Sequence, residues 1–597
     1  MNTLSGLRFL RPYLSKDLPA AARSAYIHFN RKETKLGKHL FFDEDVRNRV
    51  ARALTPSGTK NDSEKRIERL KNAEFLEWPR VENQLHVLPA AEELISLQTQ
   101  LSFAVCPKME GSSLMAHMLT GRVRRKRVAG NNLQFIDIIQ DGTLVQGVCE
   151  SSMMELAGIP NEYYRNLVEN IRKGDIISVK GRPYLAKSGV LSIRCIELPV
   201  ILSPCLHVPP ESEDFKDPEA RIRQRHVDLL VNIEPAQLVR SRSHIIQSMR
   251  SFLLDDKFLE VQTPIISDAA GGAVARPFTT IATEFPQKPL QLRIAPELWL
   301  KRMVIGGFSR VFEIGPVFRN EGIDKTHNPE FTTCEFYKAF SSLTDLTIMT
   351  ENMITTIAKK IEELRPTELD LLPEVPKDLY TAPFARIEFV PAVEKGLEEQ
   401  LPDLNAEDAT DRLVSLFERK SLPIPASPTL PRLLDKLSSI YIEPQCAKPT
   451  FIMHHPTCLA PLAKSFYDDK AKQYVSARAE LFIGEHEIAN MYEEENSPFD
   501  QREKMKKQLA WRDDENDAHV DESYISALEW GLPPTGGWGC GIDRLVMLLT
   551  GKTRISDVLP FGNLRNVVNL GSPAPRTGGP TKMVEAEPVE SEKVGEV

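Results

Sequence analysis

Hydrophobic and polar positions follow three different rhythms along this chain. Between residues 36 and 113 the apolar positions recur at helical spacing, most clearly around Ile67, Leu70 and Phe75, which predicts a helical extension. From 114 to 201 the texture changes to short period-two segments: HMLTGRVRRKR, LQFIDII, TLVQGVC, DIISVKG and VLSIRCIEL. Gly130, Gly142, Gly174 and Gly189 punctuate them. Five short alternating strands at regular spacing predict a small β-barrel of the OB type. The segment LSPCLHVPP then opens a proline-rich hinge over 202–220, and a larger domain follows over 221–570. In it Leu238, Ile245, Ile246, Met249, Phe252 and Leu253 recur at helical spacing until FLEVQTPII, where Pro264 stops regular structure. Later strands are long and hairpin-linked rather than alternating with helices. The fold class is therefore α+β, an antiparallel sheet flanked by helices, preceded in sequence by the barrel. No GxGxxG or P-loop lysine motif follows a strand, so any nucleotide is held in another way.

The two ends lack this rhythm. The segment 1–35 opens with 32 residues in which the basic side chains Arg8, Arg11, Lys16, Arg23, Arg31 and Lys32 are interspersed with Ser5, Ser15 and Ser24, and Asp17 is the only acid. An Arg- and Ser-rich, acid-poor start predicts a mitochondrial presequence, and hence the mitochondrial matrix; a basic disordered arm is the alternative. Residues 571–597, rich in Pro, Gly and Glu, predict a disordered tail.

Composition narrows the classes. With 41% hydrophobic and 26% charged residues in 597, the chain has the make-up of a globular protein. No apolar run approaches the roughly 18 residues that cross a bilayer, so no membrane role is expected. The eight cysteines include no CxxC pair and suggest reduced thiols rather than a zinc site or disulfide framework. A net charge of -8 argues against a protein that coats nucleic acid non-specifically; RNA contact would need a local basic patch, such as the run Arg122, Arg124, Arg125, Lys126, Arg127.

The segment RVFEIGPVFRNEGIDKTHNPEFTTCEFYKAF, residues 310–340, carries the densest candidate chemistry. It reads as strand, long loop and strand, with Gly322 and Asn328-Pro329 in the loop. Alternation puts Phe331, Thr333, Glu335 and Tyr337 on one face of the return strand. Arg319 closes the first strand, where a planar guanidinium can grip a phosphate or carboxylate through two parallel bonds. Phe331 offers a stacking surface for a base. On these residues alone, a surface hairpin with solvated charges is an equal reading.

Taken whole, the segment resembles motif 2 of the class II aminoacyl-tRNA synthetases in its lysine-specific form, FRNEG…THNPEFT…E-Y. The resemblance runs from about Glu64 to Leu559 and takes in KFLEVQTPII, GGAVARPF, RIAPEL, HPTCLAPLAK, ELFIGEHEIANMYEEEN and GLPPTGGWGCGIDRLVMLLT, in family order. It implies ATP-dependent activation of L-lysine to lysyl-adenylate and transfer to tRNA(Lys) for mitochondrial translation, by a homodimer. By the same resemblance Arg319 and Arg544 are the catalytic arginines on the phosphates. Glu321, His327, Asn328 and Phe331 are further ATP contacts. Gly272 and Glu297 meet the α-amino group of lysine, Asn490 and Arg319 its carboxylate. Glu335, Tyr337, Tyr492 and Glu494 surround its side chain. Glu480 and Glu487 hold Mg²⁺, and Arg125, Phe135 and Gln146 contact the anticodon.

Physical chemistry agrees with several of these roles. Hard oxygen ligands few in number, completed by phosphates, suit Mg²⁺. Carboxylates with phenols satisfy a buried ammonium. Gly537, Gly539 and Gly541 allow close backbone approach, and Arg544 falls in the first turn of the helix after them, where a cation needs an anion beside it. Spacing alone is less helpful for the metal pair. A two-residue turn at Gly484-Glu485 puts Glu480 and Glu487 on one face but Asn490, Tyr492 and Glu494 on the other, so a bulge or strong twist is required. The plainer readings are a turn-capping role for His327, an acid-paired Arg544 and a barrel-core Phe135. Two departures from the family stand out: DVLPFGNLRN where relatives carry Phe-Pro followed by Arg-Pro, and a longer stretch between GGAVARPF and RIAPEL. A lysine ligase acting on protein, or a non-catalytic tRNA-binding paralogue, are the alternatives. The barrel argues against the first, and the intact Arg319, Glu480, Glu487 and Arg544 against the second. Aspartyl and asparaginyl synthetases share the architecture, but an acid-lined pocket repels an aspartate side chain.

Overall fold

Alternation along the first strands decides which residues enter the barrel. In the computed structural model, which describes residues 62–72, 116–130, 132–140, 142–185, 190–273, 275–509 and 520–568, Val123, Ile136, Ile138, Val145, Ile177, Val179 and Ile193 point inward and form one core. They belong to β1 (His117–Ala129), β2 (Leu133–Gln140), β3 (Thr143–Glu150), β4 (Ile176–Leu185) and β5 (Leu191–Cys195). The strand order is β1-β2-β3-β5-β4, and β4 pairs with β1 to close the barrel. All five expected strands are present. A sixth, β6 (Val200–Ser203), pairs with β4 and reaches into the segment read as hinge, its four residues being too short for alternation to announce. The helix Asn161–Asn170 covers the core with Tyr163, Tyr164 and Leu167. The helix Asp62–Asn72 adds Leu70 to the same core, and its Arg66 is buried against Asp175 at 2.8 Å. Of the expected helical extension only this helix is described; the presequence and the tail lie outside the described residues.

The chain divides into two compact units between Glu211 and Ser212. The second is organised by an eight-stranded sheet. Its members are β7 (Leu259–Glu260), β11 (Arg310–Phe318), β12 (Glu330–Ala339), β13 (Ala385–Glu388), β14 (Thr450–Met453), β17 (Arg478–Ile483), β18 (His486–Glu493) and β19 (Thr535–Gly541). Between them in sequence lie β8 (Ile266–Ser267), β9 (Thr279–Ile281) and β10 (Pro289–Leu292), which form a small sheet, and the hairpin β15 (Ser465–Asp468), β16 (Gln473–Ser476). The large sheet runs β13-β14-β17-β18-β19-β12-β11-β7. It is antiparallel as expected, except at its two margins, where β7 joins β11 and β13 joins β14 in parallel. β14 follows β13 after a long helical excursion, and β11 follows β7 after the small sheet and the helix Glu297–Ile305, crossovers that hairpin counting does not see.

One face of this sheet is covered by the helices Ile233–Asp255 and Leu343–Glu368. Ile245, Met249 and Leu253 from the first, with Met353, Ile354 and Ile357 from the second, pack on Phe312, Phe336, Leu481, Met491 and Trp538. Trp538 stacks on Phe336 with centroids 4.9 Å apart. Between β13 and β14 the helices Phe389–Leu397, Ala409–Arg419 and Leu430–Tyr441 build a separate core. Among the described residues no helix is long and apolar enough to cross a membrane.

Candidate active site

With one sheet face committed to the core, the polar residues of the alternating strands fall on the other. Two rows of paired residues cross it. One runs Glu480, Asn490, Gly539, Glu335, Glu313; the next runs Arg478, Tyr492, Gly537, Tyr337. The glycines of β19 sit at the middle of both rows. A Cβ on Gly537 would collide with Glu494 Oε1 and Tyr337 Cε1, so a hollow exists there because that strand carries no side chain. The turn at Gly484-Glu485 has both residues at positive φ (60° and 64°), the signature of a two-residue hairpin turn. The required bulge is present: Phe482 opposes Glu487, but Leu481 opposes Ala489. It carries Glu480 round to oppose Asn490, on the face that Tyr492 shares.

Around the hollow stand three buried carboxylates. Glu297, Glu335 and Glu494 are 5%, 8% and 1% exposed. Tyr492 Oη donates to Glu297 Oε1 at 2.6 Å and Tyr337 Oη to Glu335 Oε2 at 3.4 Å. Gly272 approaches so closely that a Cβ there would lie 2.9 Å from Glu297 Cβ. Burial, then the Glu297 charge, pushes Glu335 up to about 8, and burial raises Glu494 well above the usual carboxylate range. Glu494 Oε2 is paired with Lys301, whereas its buried Oε1 receives no hydrogen bond. A buried acceptor left this way is suited to a donor arriving with a ligand.

Beside the acids lies a cationic group. The Arg319 guanidinium stacks over the Phe331 ring, 5.1 Å from its centroid, and Nε donates to Ile294 O at 3.4 Å. Arg544, in the first turn of the helix Ile542–Thr550, donates to Glu487 O at 3.1 Å and lies 3.5 Å from Glu487 Oε2. Its Nη2 faces His327 Nε2 at 2.9 Å. His327 also caps its own turn, with its backbone N–H and Nδ1 on the Asp324 carboxylate. His327 thus links its own turn to the Arg544 guanidinium. Glu321 is exposed in the loop following Arg319, whereas Asn328 is committed at both ends, donating to Glu330 O at 2.6 Å and accepting from Leu564 N at 3.0 Å. The departing segment DVLPFGNLRN thus packs back on the loop of motif 2.

On the barrel, Phe135 alternates with the core residues Gln134 and Ile136 and so faces outward, half-buried. Arg125, Asp137, Gln146 and Ser192 form a row of paired residues, with Arg127, Phe135, Val148 and Arg194 beside it. Gln146 donates to Asp137 at 3.0 Å, and Arg127 lies 5.7 Å from the Phe135 centroid. Arg124, Arg125 and Arg127 are exposed, while Arg122 and Lys126 are tied to Gly174 O and Ile171 O.

Comparison with known proteins decides the family. The class II tRNA synthetases (D, K and N) match residues 217–565. The chain belongs to this family. It is 41% identical over 469 residues to "Lysine--tRNA ligase, mitochondrial" of Schizosaccharomyces pombe, covering 76% of this chain and 85% of that protein. A "Probable lysine--tRNA ligase, cytoplasmic" of Enterocytozoon bieneusi is 40% identical, with 75% and 87% covered. A "Lysine--tRNA ligase" of Helicobacter pylori is 35% identical, with 76% and 87% covered.

Some residues of this synthetase site escaped sequence reasoning. Lys301, fully buried, lies 2.5 Å from Glu297 Oε1 and pairs with Glu494. Arg478 donates to Asn490 Oδ1 at 2.9 Å and to Leu459 O at 2.6 Å, and pairs with Glu480. His455, first residue of HPTCLAPLAK, meets Glu480 Oε2 at 3.1 Å; burial keeps it neutral, so Nε2 donates. Burial opposes ionisation of Glu480, but Arg478, His455 and Arg544 outweigh it and hold the group down at about 2. Glu487 is raised instead, by its enclosure and then by the Glu480 charge. Glu480 and Glu487 are oxygen donors of the kind that suits a divalent cation completed by phosphate oxygens.

Proposed function

We propose that this synthetase is a lysine–tRNA ligase that forms lysyl-adenylate from L-lysine and ATP and then charges tRNA(Lys). The observation that carries the reading is the set of three buried carboxylates around the Gly537 hollow, since only a cationic side chain repays their desolvation. Lys301 answers one of the three acids' charges, and an aspartate or asparagine side chain would bring no cation for the others. The names of the relatives point the same way.

In this reading Glu297, beside Gly272, receives the α-ammonium. Asn490 and Arg319 hold the carboxylate, and Glu335 and Glu494, with Tyr337 and Tyr492, take the side-chain ammonium. A carboxylate oxygen of lysine attacks the α-phosphorus of ATP; the P–O bond to the leaving diphosphate breaks and its electrons go with it. No general base is required. Arg319, between two anions, offsets their repulsion, and Arg544 holds the far phosphates, so the chain contributes position and charge. Phe331 lies under the adenine, with Glu321, His327 and Asn328 along the nucleotide. Glu480 and Glu487 would hold Mg²⁺, which supplies charge neutralisation on the phosphates. A ribose hydroxyl of the tRNA then takes the lysyl group as AMP departs. Arg125, Phe135 and Gln146 read the anticodon from the outer face of the barrel. The homodimer, the presequence and service in the mitochondrial matrix complete the proposal, the last resting on the basic, acid-poor first 32 residues.

Amino-acid-dependent ATP–pyrophosphate exchange by the full chain tests it, followed by charging of tRNA(Lys). Exchange is expected with lysine and not with aspartate or asparagine. Exchange driven by aspartate would overturn the specificity.

A further inference from the structure

The helix Glu297–Ile305 places Lys301 one turn beyond Glu297, at 0% exposure. Its Nζ is 2.5 Å from Glu297 Oε1 and is paired with Glu494 at the end of β18. The rings of Tyr337, Tyr492 and Tyr524 surround it, with centroids 5.9, 5.6 and 5.7 Å away. Taking an ammonium out of water is costly, and a methionine of similar shape would fill the space without that cost. What methionine cannot do is draw two carboxylates from different elements toward one point. Those two are the acids that the proposed reading assigns to the α-ammonium and the side-chain ammonium of the substrate.

We propose that Lys301 is a specificity-determining positioning residue: a buried strut that fixes the separation of Glu297 and Glu494, and so sets the pocket to lysine rather than to a shorter diamino acid. The inference rests on the reading of this hollow as the lysine site. Charge counting supports it. Glu297, Glu335 and Glu494 supply three negative charges when ionised, and Lys301 cancels one. Two remain for the two ammonium groups of a diamino acid, while Arg319 answers its carboxylate. Tyr524, from the helix Glu522–Leu528, closes the far side of the strut with its buried ring.

The test compares lysine with ornithine, one methylene shorter, in pyrophosphate exchange by wild type and Lys301→Met, with the KM for ATP as control. One methylene is worth about 10–200-fold in a fitted pocket, so the lysine-to-ornithine ratio of kcat/KM is expected to fall at least about tenfold in the variant. The loss should lie chiefly in the KM for lysine, with the KM for ATP unchanged. Lys301→Gln, which keeps a polar group between the acids but cannot charge-pair with both, carries the same comparison if the methionine variant is insoluble. A ratio preserved while both substrates lose activity alike makes Lys301 merely structural and overturns the inference. Wild type without lysine dependence defeats the pocket reading itself; a lysine-dependent wild type with an unchanged variant ratio defeats only the strut.

Discussion

The hollow of the large sheet and the outer face of the barrel both gather charge, but in opposite states of solvation. Glu297, Glu335, Glu494 and Lys301 are buried, whereas Arg124, Arg125 and Arg127 are exposed around a half-buried Phe135. Buried charges act at short range, shift one another's ionisation and are hardly screened; exposed ones are screened within about 8–10 Å at ordinary salt. The first arrangement suits all-or-none selection of a small cation. The second suits graded attraction of a polyanion, with discrimination left to ring stacking.

The contrast can be sharpened within the barrel itself, which holds one buried pair beneath its exposed arginines. Arg66 and Asp175 are both fully buried. Replacing Arg66 by Met strands the carboxylate, which in such cases costs about 3–5 kcal/mol. Since Asp175 is already raised by its burial and can take a proton, the loss in chemical denaturation should fall near the lower end. In the hollow, Gly537→Ala should push Glu494 and Tyr337 aside and lower lysine kcat/KM by about 10²-fold, the usual cost of misplacing a binding group by an ångström. The KM for ATP should hold. Phe135→Ala should weaken tRNA charging by about 1–3 kcal/mol per lost stack while leaving pyrophosphate exchange intact. Raising salt should weaken tRNA binding far more than lysine binding. Equal loss in both assays would make Phe135 structural.

The smallest effect concerns pH. Glu335 is held up at about 8, against an ordinary 4.5, so between those values the folded chain keeps a proton that the unfolded chain has released. The contribution of Glu335 to stability in the ligand-free chain therefore declines as pH rises through that window. Lysine requires the ionised carboxylate, so its own stabilisation grows over the same range. The lysine-induced rise in Tm should be larger at about pH 8.5 than at about pH 6.5, with proton release in calorimetry.

Much of this architecture was legible where local rules agree with the fold. Period two and the loop residues of 310–340 marked β11, its loop and β12, and Gly484-Glu485 marked its turn. The bulge after it could be stated only as a requirement, because no residue type around Ile488, the extra residue on β18, announces one. Lys301 was hidden for another reason: a Glu and a Lys four apart usually mean a solvated helix face, and burial is invisible in that spacing. Arg66, in the charged run DSEKRIERLKN, was concealed likewise. The parallel margins of the sheet come from long-range pairing, which periodicity cannot reach.

Titrating L-lysine and norleucine, which keeps the four side-chain carbons but lacks the terminal ammonium, into the full chain tests the central claim most directly, because the missing group is the one Glu335 and Glu494 are said to read. Lysine should bind at least about 10⁴-fold more tightly, since norleucine leaves buried carboxylates unpaired. Affinities within tenfold of each other would contradict the account.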